Sequence, residues 1–255
     1  MISGPVLFAR FAYPPNVLGY CGPSDSAAVR DYAAAGTSDR GLAELARRFS
    51  GAWPYLQLIA AASRITDPLD ARVVRAYWVG GPPLERVGPS LLAAHLTGRF
   101  EHRLGGRRAD LASLAMAGAR PHHNFHVFGV YPWVGLLRAG FVEEPLRVLD
   151  RCRVRWGRVV SVHGDTVTVR SRPLEWDGLG LGLGEPRLET ARPGPGVPVD
   201  AGDVVALHWD WICHRLDPYG AAMLRHYTMS QMTVVNTAPR PAPALDRDSR
   251  VRALS

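Results

Sequence analysis

Through the first 150 residues the apolar positions recur every three or four places, the spacing of helices packed on one face. Ser24 or Asp25 caps a helix carrying Ala27, Ala28, Val29, Ala33 and Ala34 that stops at Gly36. Leu42, Leu45, Phe49, Trp53, Leu56 and Ile59 keep helical spacing, with a break near Gly51 and Pro54. Asp67-Pro68 predicts the start of a helix bearing Val73, Val74, Tyr77 and Trp78 and ending at Gly80-Gly81. Ser90 opens another, with Leu91, Leu92, His95, Leu96 and Phe100 on one face, closing at Gly105. Asp110 to Ala117 forms a short helix, and 143–150 the last of the series. Residues 1–24, rich in Pro, Gly and aromatic side chains, read as an ordered irregular segment. The stretch 121–137 reads as extended or irregular, with a short helix after Pro132.

From Cys152 the period changes to two. Val154, Val159, Val160 and Val162 lead to a tight turn at His163-Gly164-Asp165, and 166–171 alternates with Val167 and Val169 inward. Asp203 to His208 is an apolar strand. Between these, 177–198 is dense in glycine and proline and is expected to be a loop interrupting a barrel, or a flap. Tyr219 to Val235 returns to helical spacing. The pattern predicts an α+β protein: an all-α domain over 1–150, a small β-barrel with a following helix over 151–238, and a frayed tail over 239–255.

Composition changes this picture little. The formal net charge is +7 and the pI about 9.8, yet every basic residue is arginine and the arginines are scattered. Scattered charge describes a solvated face more than a phosphate track. No run of 18 or more apolar residues implies a membrane span, and the first residues lack a secretory pattern, so a cytoplasmic location is expected.

The three cysteines, Cys21, Cys152 and Cys213, form no CxxC pair. Cys152 and His208 stand at the two ends of the strand-like region as soft and borderline metal ligands. Arg151, Arg153 and Arg155 flank Cys152 and would lower its pKa if close. His122, His123 and His126 include an i, i+4 pair that a helix could turn to a metal, or that could support one from behind. Trp156, Trp209, Trp211 and Tyr219 read as rings sealing an interface, with base stacking as the competing use. Cys213-His214 reads as structural. Neither a Gly-x-Ser-x-Gly elbow nor a phosphate loop is present.

The region 152–217 resembles the small hydrogenase-maturation chaperones of the HypC/HupF type. Cys152 is followed by Gly157, Arg158, Val159 and Val160; then come Gly164-Asp165 and an alternating strand; then Val199, Gly202, Asp203, Val205, Leu207 and His208; then Arg215-Leu216-Asp217. Gly157, Gly202 and Asp203 fall at the family's barrel-turn positions. The resemblance implies an OB-like barrel and an accessory factor without catalytic activity of its own. It also implies a transiently held iron, carrying cyanide and carbon monoxide, with Cys152 as its ligand and His208 beside it. The implied partner is the nickel–iron hydrogenase large-subunit precursor or another maturation protein. Here the cysteine is internal, Trp156 stands at the family's proline, and the 177–198 stretch is longer than the family's loop. Two other readings remain: a metal-dependent enzyme using His122, His123 and His126, and a basic OB-like nucleic-acid-binding protein.

Overall fold

A computed structural model describes residues 2–99 and 108–238. The expected contributions of Phe100 and Gly105, and the tail over 239–255, lie outside the described residues. The protein is α+β, as its periodicity predicts: helices first, then a closed five-stranded barrel, then one long helix.

The chain opens with a helix rather than an irregular segment: α1 spans Gly4–Val17 and is almost wholly buried, with Pro14 and Pro15 inside its last turn. α2 (Ser26–Ala35) is capped by Asp25, whose carboxylate accepts from the Ala28 N–H at 3.1 Å, and it closes at Gly36. α3 (Arg40–Arg47) and α4 (Trp53–Ala62) are separate helices, the break falling where Gly51 and Pro54 place it. α5 (Ala71–Trp78) starts later than Asp67-Pro68 suggests. Asp70 caps it through the Arg72 N–H, while Asp67 closes the preceding turn through the Leu69 N–H. α6 (Pro89–Arg99) and α7 (Arg108–Met116) follow.

The stretch expected to be extended is helical instead. A three-residue turn, α8 (His123–Phe125), runs into a π-helical turn over His126–Val130, then α9 (Trp133–Arg138). π-turns tend to occur at functional sites. α10 covers Glu143–Cys152, so Cys152 ends a helix and does not begin a strand.

The barrel strands are β1 (Arg155–His163), β2 (Thr166–Ser171), β5 (Arg187–Pro193), β6 (Val204–His208) and β7 (Trp211–Arg215). They close in the order β1-β2-β5-β7-β6, antiparallel throughout except for the parallel β5–β7 contact, with β6 returning to β1. This is an OB-like Greek-key barrel. Val159, Val167, Val169, Val205, Leu207 and Ile212 fill it.

The Gly/Pro-rich stretch is neither a plain loop nor a flap. It supplies part of a small hairpin, β3 (Leu174–Trp176) with β4 (Leu181–Leu183), and then the barrel strand β5. The hairpin packs Leu174 and Leu181 on Phe128, Leu149 and Val235. Gly157 is likewise not a turn residue: it pairs with Ser171 inside β1, where an added Cβ would lie 2.4 Å from Val169 Cγ1. Gly202, at φ 91°, does make a turn, with Asp203 following it.

α11 (Pro218–Thr237) begins at Asp217, which caps it and pairs with Arg75 of α5 at 2.8 Å. The largest core cluster unites both parts of the chain. Phe8, Phe11, Tyr55, Tyr77 and Trp78 from the helices share it with Val154, Ala206, Cys213 and Leu224.

Candidate metal centre

The site lies on the seam between helices and barrel. Three segments meet there: α8, the end of α10 and the end of β6. His123, Cys152 and His208 each offer one donor atom, and these atoms all lie within 4.8 Å of one another. Around a tetrahedral ion with metal–nitrogen bonds near 2.0 Å and metal–sulfur bonds near 2.3 Å, ligand atoms stand roughly 3.3–3.7 Å apart. A contraction on the order of 1 Å therefore brings all three donors within bonding distance of one ion. The expected pair of Cys152 and His208 does come together, and His123 joins it.

His208 is fully buried and oriented from behind. Its Nδ1–H donates to the Phe11 carbonyl at 2.7 Å, and its Nε2 has no hydrogen-bond partner among the described residues. The sequence explains the first bond. In a helix the Phe11 carbonyl would accept from residue 14 or 15, and both are prolines without an N–H. The bond to the freed carbonyl leaves Nε2 as a bare lone pair, the tautomer a metal requires.

His123 is held on both sides. Its Nε2–H donates to the Cys152 carbonyl at 2.9 Å, and the Tyr77 hydroxyl stands 3.4 Å from Nδ1. With Nε2 donating to the carbonyl, Nδ1 accepts from the Tyr77 hydroxyl, and an ion bound through His123 would take the place of one of these two partners. The two imidazoles meet edge to face at 4.9 Å, with the Trp78 ring 4.6 Å from His123 and 5.5 Å from His208.

Two buried networks place Cys152. Next to His123, the Asn124 amide accepts from the Val154 N–H at 2.8 Å and donates to the Val154 carbonyl at 2.9 Å, fixing α8 against the chain just after Cys152. On the other side, Arg153 pairs with Asp150 at 2.8 Å and Arg155 with Glu189 at 2.8 Å, each arginine being 1% exposed. Arg151 adds Glu189 and Asp210, and its carbonyl accepts the Trp209 N–H at 2.7 Å. The end of α10 is thereby tied to the strand that delivers His208.

The arginines do not activate the thiol. Arg153 and Arg155 spend their charge on Asp150 and Glu189, and burial pushes the Cys152 thiol well up from its ordinary value. Burial also lowers His123 to about 4, and it holds His208 well below the ordinary imidazole range, with His123 adding to the effect. At neutral pH both imidazoles are uncharged, and an arriving cation would displace one thiol proton.

The three donors line a cavity of about 40 Å³ together with Cys21 and His126. His122 stands apart: its ring stacks on Tyr227 at 5.6 Å, its Nδ1 accepts from the Asn124 N–H, and burial lowers it to about 3. The i, i+4 pair is thus divided, His126 on the cavity wall and His122 behind it. The tryptophans are packed rather than displayed. Trp209 is buried against Tyr20, Trp211 meets Tyr13 edge-on, and Trp156 rests on the main core. Cys213 is buried within that same core.

Phe11, Tyr77 and Asn124 escape sequence reasoning because they act through a backbone carbonyl, a ring edge and a backbone pair. A Pro-Pro step near a helix end was the one signal available, since it strips two carbonyls of local donors.

Fold and site together define a helical protein joined through one core to an OB-like barrel, with a thiol–imidazole cluster on the seam. The chain belongs to the family of unknown function DUF6390, whose model matches residues 1–242. No curated protein and no solved structure shows detectable similarity to it. No helix among the described residues is long and apolar enough to cross a membrane.

Proposed function

We propose that this protein binds a soft first-row metal ion through His123, Cys152 and His208 and acts as an accessory factor in metal-centre assembly. The observation that carries the reading is the buried, unpartnered Nε2 of His208 beside the Cys152 sulfur. Burying an acceptor without a partner costs about 1–3 kcal/mol, a cost a bound cation would remove. Mixed thiolate and imidazole donors suit iron, zinc or cobalt better than calcium or magnesium.

The sequence resemblance of 152–217 gives this chemistry its cargo and destination: an iron held transiently and delivered to a nickel–iron hydrogenase large-subunit precursor. A cavity of about 40 Å³ accommodates an ion and little more. An iron already carrying diatomic ligands would need the segment around Tyr20 and Cys21 displaced. An accessory role suits a site with a thiol, two imidazoles and no positioned carboxylate among the described residues.

The test is metal analysis of protein prepared without oxygen. Wild type is expected to retain about one equivalent of iron or zinc under conditions where Cys152→Ser and His208→Ala retain little, all three giving the same circular dichroism spectrum. Equal metal content in all three would end the metal reading. Recovery of a large-subunit precursor with wild type but not with Cys152→Ser supports the proposed destination; its absence from both would remove the destination and leave the metal site.

A further inference from the structure

Cys21 stands 131 positions before Cys152 in sequence, yet the same cavity is walled by both, together with His123 and His208. It lies outside the tight group of three donors, on the turn that follows α1. That turn is held from beneath. The buried Asn16 amide donates to the Cys21 carbonyl at 2.8 Å and to the Pro23 carbonyl at 2.6 Å. Gly22 takes φ 87°, and an added Cβ there would lie 2.3 Å from the Phe49 ring. On the outer side the Tyr20 ring stacks on Trp209 at 4.3 Å, next to His208. Fixed anchors thus flank Cys21, which lines the same cavity as His208, whose Nε2 makes no hydrogen bond among the described residues.

We propose that Cys21 is the fourth ligand of the site, closing a Cys₂His₂ shell over the ion that His123, Cys152 and His208 receive. Three donors leave a tetrahedral ion one position short, and a second thiolate is the soft ligand that fills it. The other three donors sit on α8, α10 and β6, whereas Cys21 sits on the turn after α1, the one donor of the four that belongs to no helix or strand. Departure of Cys21 would open one coordination position for an acceptor, while the remaining three hold the ion in register. This deepens the metal-binding reading and rests on it.

Cobalt(II) titration without oxygen tests the assignment, because each thiolate bound to cobalt adds its own sulfur-to-metal charge-transfer absorption. Wild type is expected to show intensity for two thiolates, and Cys21→Ser about half of it, with cobalt still bound. In parallel, mass spectrometry over a time course of iodoacetamide treatment is expected to show Cys21, whose thiol burial pushes up to about 12, alkylated slowly in the metal-free chain and more slowly still in the cobalt-loaded one. This readout uses wild-type protein and does not depend on the variant folding. Equal absorption in wild type and Cys21→Ser, or equal alkylation of Cys21 with and without cobalt, overturns the fourth ligand and leaves the three-donor site standing. Failure of wild type to bind cobalt at all overturns both.

Discussion

Phe11 and His208 lie 197 positions apart and share a 2.7 Å hydrogen bond from the His208 Nδ1–H to the Phe11 carbonyl. The bond exists because Pro14 and Pro15 leave that carbonyl without a helical donor. Pro15→Ala supplies an N–H that competes for it and releases the His208 ring from its single tautomer. Zinc affinity measured by titration calorimetry is expected to fall about 10–100-fold with the circular dichroism spectrum unchanged. Unchanged affinity would show that the carbonyl does not orient the ligand.

Asn124 pairs with the backbone of Val154 much as a neighbouring strand would. Asn124→Ala leaves a buried N–H and a buried carbonyl unpaired and is expected to cost about 2–4 kcal/mol in urea unfolding. Metal affinity should fall with it, because His123 and Cys152 lose their common brace. Asn124→Asp keeps the acceptor but sets a buried carboxylate against the Val154 carbonyl, and should cost at least as much. A midpoint equal to wild type for Asn124→Ala would mean that water replaces the amide.

The Arg155–Glu189 pair is a second brace. Burial alone would raise the Glu189 carboxyl, but hydrogen bonding and charge from Arg155, with help from Ser171 and Arg151, hold it below the usual carboxylate range. Glu189→Ala strands Arg155 in the interior and is expected to cost about 3–5 kcal/mol. The double change Arg155→Met with Glu189→Met removes both charges and should recover much of that loss. Additive losses in such a cycle would exclude coupling between them.

Acid should unfold this protein steeply. His122 is lowered to about 3 by burial, and His214 to about 4 by burial with Arg75 and Arg10 nearby. Both are neutral when folded, whereas an unfolded imidazole takes a proton near pH 6.5. The unfolded chain therefore binds more protons between pH 6.5 and about 4, and stability falls as pH falls through that window. Each such histidine contributes about 1.4 kcal/mol per pH unit. The urea midpoint measured from pH 7 to 4.5 should drop, and His214→Gln should flatten the slope. A midpoint independent of pH would contradict the burial of these rings.

Local features were legible wherever short-range chemistry decides them. Asp25 and Gly36 bracket α2, Gly164-Asp165 turns β1 into β2, and Val167 and Val169 point inward because strand alternation leaves no other choice. The prolines of α1 hid a helix, since their usual effect is overridden where they fall in the last turn of a buried segment. Arg153 and Arg155 read as neighbours that would activate Cys152, yet α10 runs on to the cysteine and both arginines are buried in ion pairs of their own. His123 was one of three candidates within five positions. What selects it over His122 is the direction of a single short turn, fixed by Asn124 and Val154 across 30 positions.

Since the proposed donors come from an early turn, two mid-chain helices and a late strand, no isolated portion of the polypeptide carries the complete set. A chain still emerging from the ribosome could not hold the ion as described, and neither could one clipped between α10 and β6. Metal retention would then double as a certificate of completed folding, so that only finished molecules could go on to donate their cargo.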